Sequence, residues 1–304
     1  MKKGIYFLVI IVASVFAQPY WNDADFENFT DSYNSYRANT ELRREMYESE
    51  YHHSYPFEFL QSADFVAFWQ VTDSSSMAFG GIIEAEEGEL HDVIQTDNTQ
   101  ESIMIWSFAH DFYTTDDYAD NISRSWDYCN TYPGWQEEIS EYSWYYPYWN
   151  SALGLLATIY NVQYTGDSTR LMYGDSCAIF LSDTSLPFDH SLDYYRLLHP
   201  MVTSFAAGCL YQYGVFTDNA EYRTRALGQA ERVLDYIDEN PDSFLSVEQW
   251  AMSSGTTLWG LVKSYFAEKP DELDSWLAEN FDHLPEMAPP ATEYDPYLWD
   301  NSWN

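Results

Sequence analysis

A repeat of about 51 residues constrains the fold of this chain more than any other feature. Four similar turns read FYTTDD, QYTGDS, VFTDNA and FAEKPDE, and they begin at Phe112, Gln163, Val215 and Phe266. Aligned positions in successive turns are separated by 51, 52 and 51 residues. A constant spacing of this size predicts a structural repeat in which each unit packs against the next.

Each unit combines two helices of different character. The first is apolar nearly all round, as in SIMIWSFA (102–109), SALGLLATIY (151–160) and MVTSFAAGCLY (201–211). The second is amphipathic, as in residues 226–237, where apolar residues fall at helical spacing and charged residues take the other face. A helix with no polar face must be buried on all sides. The pattern therefore predicts an inner ring of helices wrapped by an outer ring.

The turns between the two helices carry acids that suit the start of a helix. Asp116, Asp167 and Asp218 are predicted to be N-caps or first-turn acids, because carboxylates accept hydrogen bonds from free backbone N–H groups and favour the positive end of the helix dipole.

Two stretches of the chain resemble a known architecture. The helix–YTGD–helix segment LATIYNVQYTGDSTRLMYGDSCAIFL (156–181) resembles the α/α toroids, in particular the six-hairpin glycosidase-like proteins. The segment EFLQSADFVAFWQVTDSSSMAFGGIIEAE (58–86) is also similar to toroids of the terpenoid cyclase and prenyltransferase type. The resemblance is at the level of the fold and implies an all-α toroid. The aspartate-rich and QW-type motifs of terpene cyclases are absent, which disfavours a cyclase.

The repeat and the resemblance together predict the domain organisation. Four complete helical pairs are fewer than the six of a full barrel, so the ring is either incomplete or closed by the less regular segment 18–54. A short irregular or β-like insertion is expected near residues 73–95. The predicted regions are a signal peptide (1–17), the N-terminal segment (18–54), the toroid (55–285) and a tail rich in proline and aromatic residues (286–304).

The first residues predict export from the cell. Lys2 and Lys3 precede the apolar run IYFLVIIVASVFA, and small residues stand before Gln18, as in a cleavable signal peptide. The run from Ile5 to Ala17 is shorter than the roughly 20 residues that span a bilayer. We expect a secreted protein, at the cell surface, in a periplasm or outside the cell; an uncleaved anchor is the alternative.

The charge of the chain excludes several classes of partner. Asp and Glu number 49 against 13 Lys and Arg, which gives a formal net charge of −36, and loss of the signal would make it two charges more negative. Such a chain repels nucleic acids and anionic lipid surfaces. Solubility outside the cell or tolerance of salt is the simpler reason for this charge. The 12 Trp, 27 Tyr and 18 Phe residues predict a large core rather than disorder.

Neither a metal nor a cofactor is expected. Cys129, Cys177 and Cys209 lack metal-ligand spacing and lie in apolar patterns that favour buried free thiols, although an exported protein can pair two of them. The acidic run around Glu84–Glu89 leaves calcium open, but the sequence of a calcium-binding loop is missing. Nucleotide-binding loops and the GxSxG motif are absent.

The starts of the inner helices carry the candidate site. The stretch TDNTQESIMIW (96–106) gathers acids, amides and threonines at one end of an apolar helix, and SWYYPYWN (143–150) precedes the next. In a ring these starts converge on one cavity mouth, where aromatic rings stack on sugars and polar groups bond hydroxyls. The predicted catalytic residues are Asp97, Glu101 and Glu248. The predicted substrate-binding residues are Asn98, Trp144, Tyr146, Trp149, Asn150, Tyr195, His199 and Trp250.

Every one of these residues has a structural alternative. Asp97 and Glu248 suit helix caps or first-turn acids, and Glu101 suits the helix dipole. The aromatic stretch suits core packing, and His199 suits a buried, hydrogen-bonded histidine.

The favoured function is a glycoside-hydrolase-like enzyme that acts on a neutral glycan, because glycosidic hydrolysis needs two carboxylates. A polysaccharide lyase fits less well, since few basic residues are present to neutralise a uronate. The alternatives are a non-catalytic module that binds a glycan or other ligand, and a structural surface protein whose cavity is filled by its own side chains. The sequence does not indicate the oligomeric state.

Overall fold

The fold is mostly helical, with one two-stranded antiparallel sheet. The computed structural model describes residues 55–86, 89–112, 117–136, 145–189, 193–240 and 247–280. The signal peptide, the 18–54 segment and the 286–304 tail lie outside these residues. The chain divides into two compact units, Met1–Pro133 and Gly134–Asn304, and this boundary falls inside the region predicted as one toroid.

The first unit contains three helices and a hairpin in its described part. These elements are α1 (Tyr55–Phe68), β1 (Ile82–Glu86), β2 (Glu89–Gln95), α2 (Thr96–Phe112) and α3 (Ala119–Thr131). The strands pair Ile82 with Gln95 and Ile83 with Ile94, and the register shifts after Ile83. The insertion expected near 73–95 is thus an ordered hairpin over its second half, and its last strand runs straight into α2.

Large aromatic side chains form the core of the first unit. Trp106 on α2 is fully buried, stacks on Tyr118 with ring centroids 6.3 Å apart, and donates from Nε1 to the Ala63 carbonyl at 3.1 Å. Trp126 on α3 is also fully buried. These contacts hold α1 and α3 against α2, the pairing of helices that the repeat predicts.

A glutamine organises the segment between α1 and the hairpin. Gln70 is 2% exposed. Its Nε2 donates to Ser125 Oγ at 2.9 Å and to the Asn121 carbonyl at 2.9 Å, while its Oε1 accepts from Asn121 Nδ2 and Arg124 Nε, each at 2.9 Å. One buried side chain therefore ties the end of α1 to three residues of α3.

The second unit continues the alternation of helices. Its described elements are α4 (Tyr146–Thr165), α5 (Leu171–Asp183), α6 (Asp193–Phe216), α7 (Ala220–Glu239), α8 (Val247–Lys263), α9 (Tyr265–Glu268) and α10 (Pro270–Asn280), with short 3₁₀ turns at Gly134–Gln136 and Ser168–Arg170. Successive long apolar helices pack side by side, α4 on α6 and α6 on α8, and α4 and α6 each pack on the helix that follows.

The burial of these helices follows their sequence patterns. Residues on every side of α4 are buried from Pro147 to Ile159, whereas α7 buries only one stripe, formed by Ala226, Ala230, Val233 and Ile237. Gly208 of α6 faces Gly260 of α8, and a Cβ atom added at Gly208 would lie 2.9 Å from the Gly260 Cα. The predicted contrast between a helix buried on all sides and a helix buried along one stripe is therefore confirmed for α4 and α7.

The turn acids differ from the expectation in one case. Asp167 Oδ1 accepts from the Thr169 N–H at 3.0 Å and caps a 3₁₀ turn, as predicted. Asp218 is not a cap, because it has a positive φ of 53° and the next residue takes that role. Asn219 Oδ1 accepts from the Glu221 N–H at 3.0 Å, and an amide oxygen caps a helix as well as a carboxylate does. Asp116 lies outside the described residues.

Two further expectations are tested by the packing. Cys129, Cys177 and Cys209 are all buried, as the apolar patterns predicted. Among the described residues, none of the helices combines the length and the apolar character needed to cross a membrane.

Candidate active site

The polar start of α2 has two faces with different roles. Thr99 is fully buried, and its Oγ1 accepts from the Ile82 N–H at 3.1 Å and donates to the Gln95 carbonyl at 3.0 Å. Thr96 Oγ1 donates to the Tyr132 carbonyl at 2.8 Å. This face therefore bonds the helix to the hairpin and to the end of α3. Thr96, which was expected at the cavity mouth, belongs to this face.

The other face of this helix carries the predicted acids. Asp97 and Asn98 are half-buried, and Glu101 is exposed. Asp97 Oδ1 accepts from the Asn98 N–H at 2.8 Å, and the Asn98 carbonyl accepts from Ser102 Oγ at 2.7 Å. Asp97 and Glu101 are one turn apart, so both carboxyl groups project from the same side of α2. We call them the acid pair.

The acid pair has an unusual electrostatic setting. Solvent reaches Glu101, but the protein around its carboxyl group reduces hydration and raises its pKa to about 7, and the negative charge of Asp97 contributes a smaller increase. Glu101 is thus accessible yet poorly hydrated. At neutral pH, a carboxyl group with this pKa is protonated in some molecules and ionised in others. It can therefore either donate or accept a proton at this pH.

Aromatic rings from three successive inner helices stack in the second unit. The rings of Trp149 and Phe205 have centroids 4.5 Å apart at 28°, and those of Phe205 and Trp259 are 5.1 Å apart at 36°. Phe205 is buried, whereas Trp149 and Trp259 are partly exposed. We call these three residues the aromatic stack. Tyr146, another predicted residue, is half-buried and stacks on Tyr145 at 4.4 Å.

Sequence reasoning selected Trp149 and missed Trp259. A signal was present, because the three stacked residues stand in successive inner helices at intervals close to the repeat length. The repeat thus marks positions that become neighbours across adjacent helices.

Two predicted contact residues are enclosed by their own unit. Asn150 is fully buried, and a Cβ atom at Gly134 would lie 2.9 Å from the Asn150 Cβ. His199 is 2% exposed, and its Nδ1 lies 2.7 Å from the Pro187 carbonyl, to which it donates. These surroundings favour the structural alternatives for both residues.

The remaining predicted residues are only partly placed. Tyr195 lies on α6, and Glu248 and Trp250 lie on α8, but their side chains are outside the described part of the structure. Trp144 lies outside the described residues altogether. The acid pair belongs to the first unit and the aromatic stack to the second.

Comparison with known proteins adds no relative. No family model, curated protein or solved structure shows significant similarity to this chain.

Proposed function

We propose that this protein is an exported, glycoside-hydrolase-like enzyme that acts on a neutral glycan. The acid pair carries the proposal, because the pKa of Glu101 is raised to about 7 beside a second carboxyl group. A glycosidase needs one carboxyl group that is protonated at working pH and another that is ionised. A carboxyl group whose pKa is raised by burial beside a second carboxyl group is typical of acid–base sites.

Glu101 is the general acid of this proposal. It donates its proton to the leaving oxygen of the glycosidic bond, and a carboxylate stabilises the positive charge that develops on the sugar or activates water. Asp97, the other member of the acid pair, is the candidate for this carboxylate. The strong negative charge of the chain favours a neutral sugar over a uronate or a sulfated glycan, since these would be repelled.

The proposed architecture is an α/α toroid, as the helical repeat of the sequence predicts. Two findings support it: the alternation of buried and amphipathic helices along the chain, and the side-by-side packing of α4, α6 and α8. Export rests on residues 1–17, and N-terminal sequencing of protein recovered from outside the cell tests it, with Gln18 expected as the first residue.

A hydrolysis assay with matched variants tests the reaction. Purified protein is incubated with a panel of neutral polysaccharides, and released reducing sugar is measured from about pH 4 to pH 9. Glu101→Gln is expected to lower kcat by about 10²–10⁴-fold, as loss of a general acid does. Asp111→Asn removes an exposed acid from the same helix and should leave the rate unchanged. Equal rates for the native protein and Glu101→Gln on a hydrolysed glycan would reject this role.

A second candidate function is supported by the aromatic stack. Partly exposed Trp149 and Trp259 offer indole surface of the kind on which the C–H faces of sugars pack, and binding of a glycan needs no catalytic acid. In this case a glycan is retained but never cleaved. Titration of tryptophan fluorescence, with Trp149→Phe and Trp259→Phe as variants, separates the two functions. Binding without release of reducing sugar selects the binding module.

A further inference from the structure

Three buried tyrosines in this protein carry their hydroxyl groups to carboxylates on other helices. Tyr118, just before α3, donates to Asp64 Oδ1 of α1 at 2.7 Å. Tyr213 of α6 donates to Asp175 Oδ1 of α5 at 2.9 Å. In both pairs a second acceptor, a backbone carbonyl, lies farther from the hydroxyl oxygen than the carboxylate does.

The third bond has the same construction. Tyr211 of α6 donates to Glu268 Oε1 at the end of α9 through a short hydrogen bond. The rings of Tyr118, Tyr211 and Tyr213 are 6%, 9% and 0% exposed, whereas all three carboxylates lie at the surface. Each tyrosine therefore buries its ring in the core and places its hydroxyl group at the edge of the core. There the hydroxyl donates a hydrogen bond to a carboxylate of a neighbouring helix.

Ion pairs take a smaller part in joining helices. Among the described residues, Arg225 pairs with Glu221 at 3.8 Å within one helix, and Arg170 pairs with Asp167 at 3.3 Å within one turn. The pair between Lys269 and Glu231 connects different helices, but it is exposed and 4.0 Å long. A chain with 49 acids, 13 basic residues and 27 tyrosines has more phenolic donors than cations to offer its carboxylates.

We propose that tyrosine hydroxyls replace cations as the cross-helix partners of carboxylates in this fold, which adapts the protein to high ionic strength. At molar salt concentration the Debye length is only a few ångströms, so the attraction between exposed charges is largely screened. A hydrogen bond from a neutral phenol to a carboxylate is a direct short-range contact, and bonds to charged groups are the stronger class. Salt also reduces the self-repulsion of a chain that carries a net charge of −36.

The proposal separates the two effects of salt on this protein. Screening should stabilise the whole fold, because repulsion among the acids is reduced. The three tyrosine bonds should keep their strength while exposed ion pairs lose theirs. The inference is independent of the proposed function, since it concerns the bonds between helices and not the acid pair.

A double-mutant cycle at two salt concentrations tests this inference. Free energies of unfolding, from urea titrations, and melting temperatures are measured for the native protein, Tyr118→Phe, Asp64→Asn and the double variant in about 0.05 M and about 2 M NaCl. Tyr118→Phe is expected to lower the melting temperature by roughly 3–8 °C. The coupling free energy between Tyr118 and Asp64 should retain at least half of its low-salt value in high salt. The native protein should melt at a higher temperature in high salt than in low salt.

Two further cycles keep the test decisive. Tyr213→Phe with Asp175→Asn replaces the first cycle if its variants do not fold. Arg225→Gln with Glu221→Gln is the control, and its small coupling should disappear in high salt because this ion pair is exposed. Retention of less than half of the tyrosine coupling in high salt, absence of coupling in low salt, or a lower native melting temperature in high salt overturns the proposal.

Discussion

A Cβ atom added at Gly260 would lie 2.1 Å from the carbonyl oxygen of Ser204, so α8 and α6 pack backbone against backbone at this point. The contact is reinforced by Ser204 Oγ, which donates to the Thr257 carbonyl at 2.7 Å. Two helices at this separation leave no volume for a side chain. The absence of a side chain at residue 260 therefore allows α6 and α8 to pack this closely.

Gly260→Ala should destabilise the second unit. The added methyl group meets a backbone atom, which cannot rotate away, and overpacking of this kind costs about 1–3 kcal/mol and occasionally more. Gly228→Ala is the matched control, because a Cβ at that helical position meets nothing within 4 Å. The control should stabilise α7 by about 0.5–1 kcal/mol through helix propensity. Chemical denaturation of both variants checks the prediction, and similar midpoints would contradict it.

Glu101→Gln should change how stability depends on pH. The pKa of Glu101 is about 7 in the folded protein against an ordinary value of 4.5, so the folded state holds more protons than the unfolded state between these values. Its contribution to stability is therefore complete below the unfolded value and is lost as pH rises through about 7. The variant should lack this decline and should melt at a higher temperature than the native protein at about pH 8.

Melting temperatures measured across this pH range check the prediction for Glu101. Asp111→Asn, on the same helix, should retain the decline of the native protein. Parallel curves for the native protein and Glu101→Gln would show that the carboxyl group of Glu101 does not carry the perturbed pKa.

Tyr148→Phe should loosen the connection between α5 and α6. The Tyr148 hydroxyl donates to the Thr184 carbonyl at 2.8 Å and accepts from Gln229 Nε2 at 2.9 Å. Its loss leaves a partly buried acceptor and a partly buried donor without this partner, which costs about 1–3 kcal/mol. Tyr160→Phe, at a partly exposed position of the same helix, should change stability by less than about 0.5 kcal/mol. Equal effects of the two substitutions on the free energy of unfolding would refute the expected difference.

The same connection is held from α7 as well. Arg232 donates from Nη2 to the Leu186 carbonyl, and its guanidinium group lies 3.7 Å from the centroid of the Phe188 ring. Burial lowers the pKa of Arg232. Because this cation binds a carbonyl and an aromatic face, the segment from residue 184 to 189 is fixed by contacts from different helices.

Gln70→Leu should detach the hairpin region from α3. The leucine has a similar size but cannot replace the bonds to Asn121, Arg124 and Ser125, so a loss of about 2–4 kcal/mol is expected. Hydrogen exchange of the Ile82–Gln95 amides should accelerate more than that of the α6 amides. Ser74→Ala, an exposed change in the same connection, should leave exchange unaltered. Uniform acceleration across both units would indicate global rather than local opening.

The helices could be predicted well from the sequence because their burial follows the local periodicity of apolar residues. The all-round apolar pattern of α4 and the single stripe of α7 each follow from residues three and four positions apart. The all-round apolar character of α4, the single stripe of α7 and the existence of a β-like insertion could all be predicted in this way.

Side-chain roles were harder to predict because they depend on distant contacts. Thr99 and Asp97 are both polar residues in the first turns of α2, yet Thr99 Oγ1 bonds the hairpin, whereas Asp97 Oδ1 accepts from the N–H of the next residue. Likewise, His199 meets Pro187 and Trp259 meets Phe205 only after the helices pack. Local patterns do not distinguish such partners, and the elevated pKa of Glu101 arises from packed surroundings that no local motif specifies.

The direct passage from β2 into α2 has a consequence for how this chain tolerates insertions. Gln95 ends the strand and Thr96 begins the helix, with no residue between them to absorb a change. One residue gained or lost there would rotate the helix by about 100° relative to the hairpin. Glu101 would then point elsewhere, whereas an equal change in the exposed 163–168 turn leaves its direction intact. Length variation among homologues should therefore be rare at this junction.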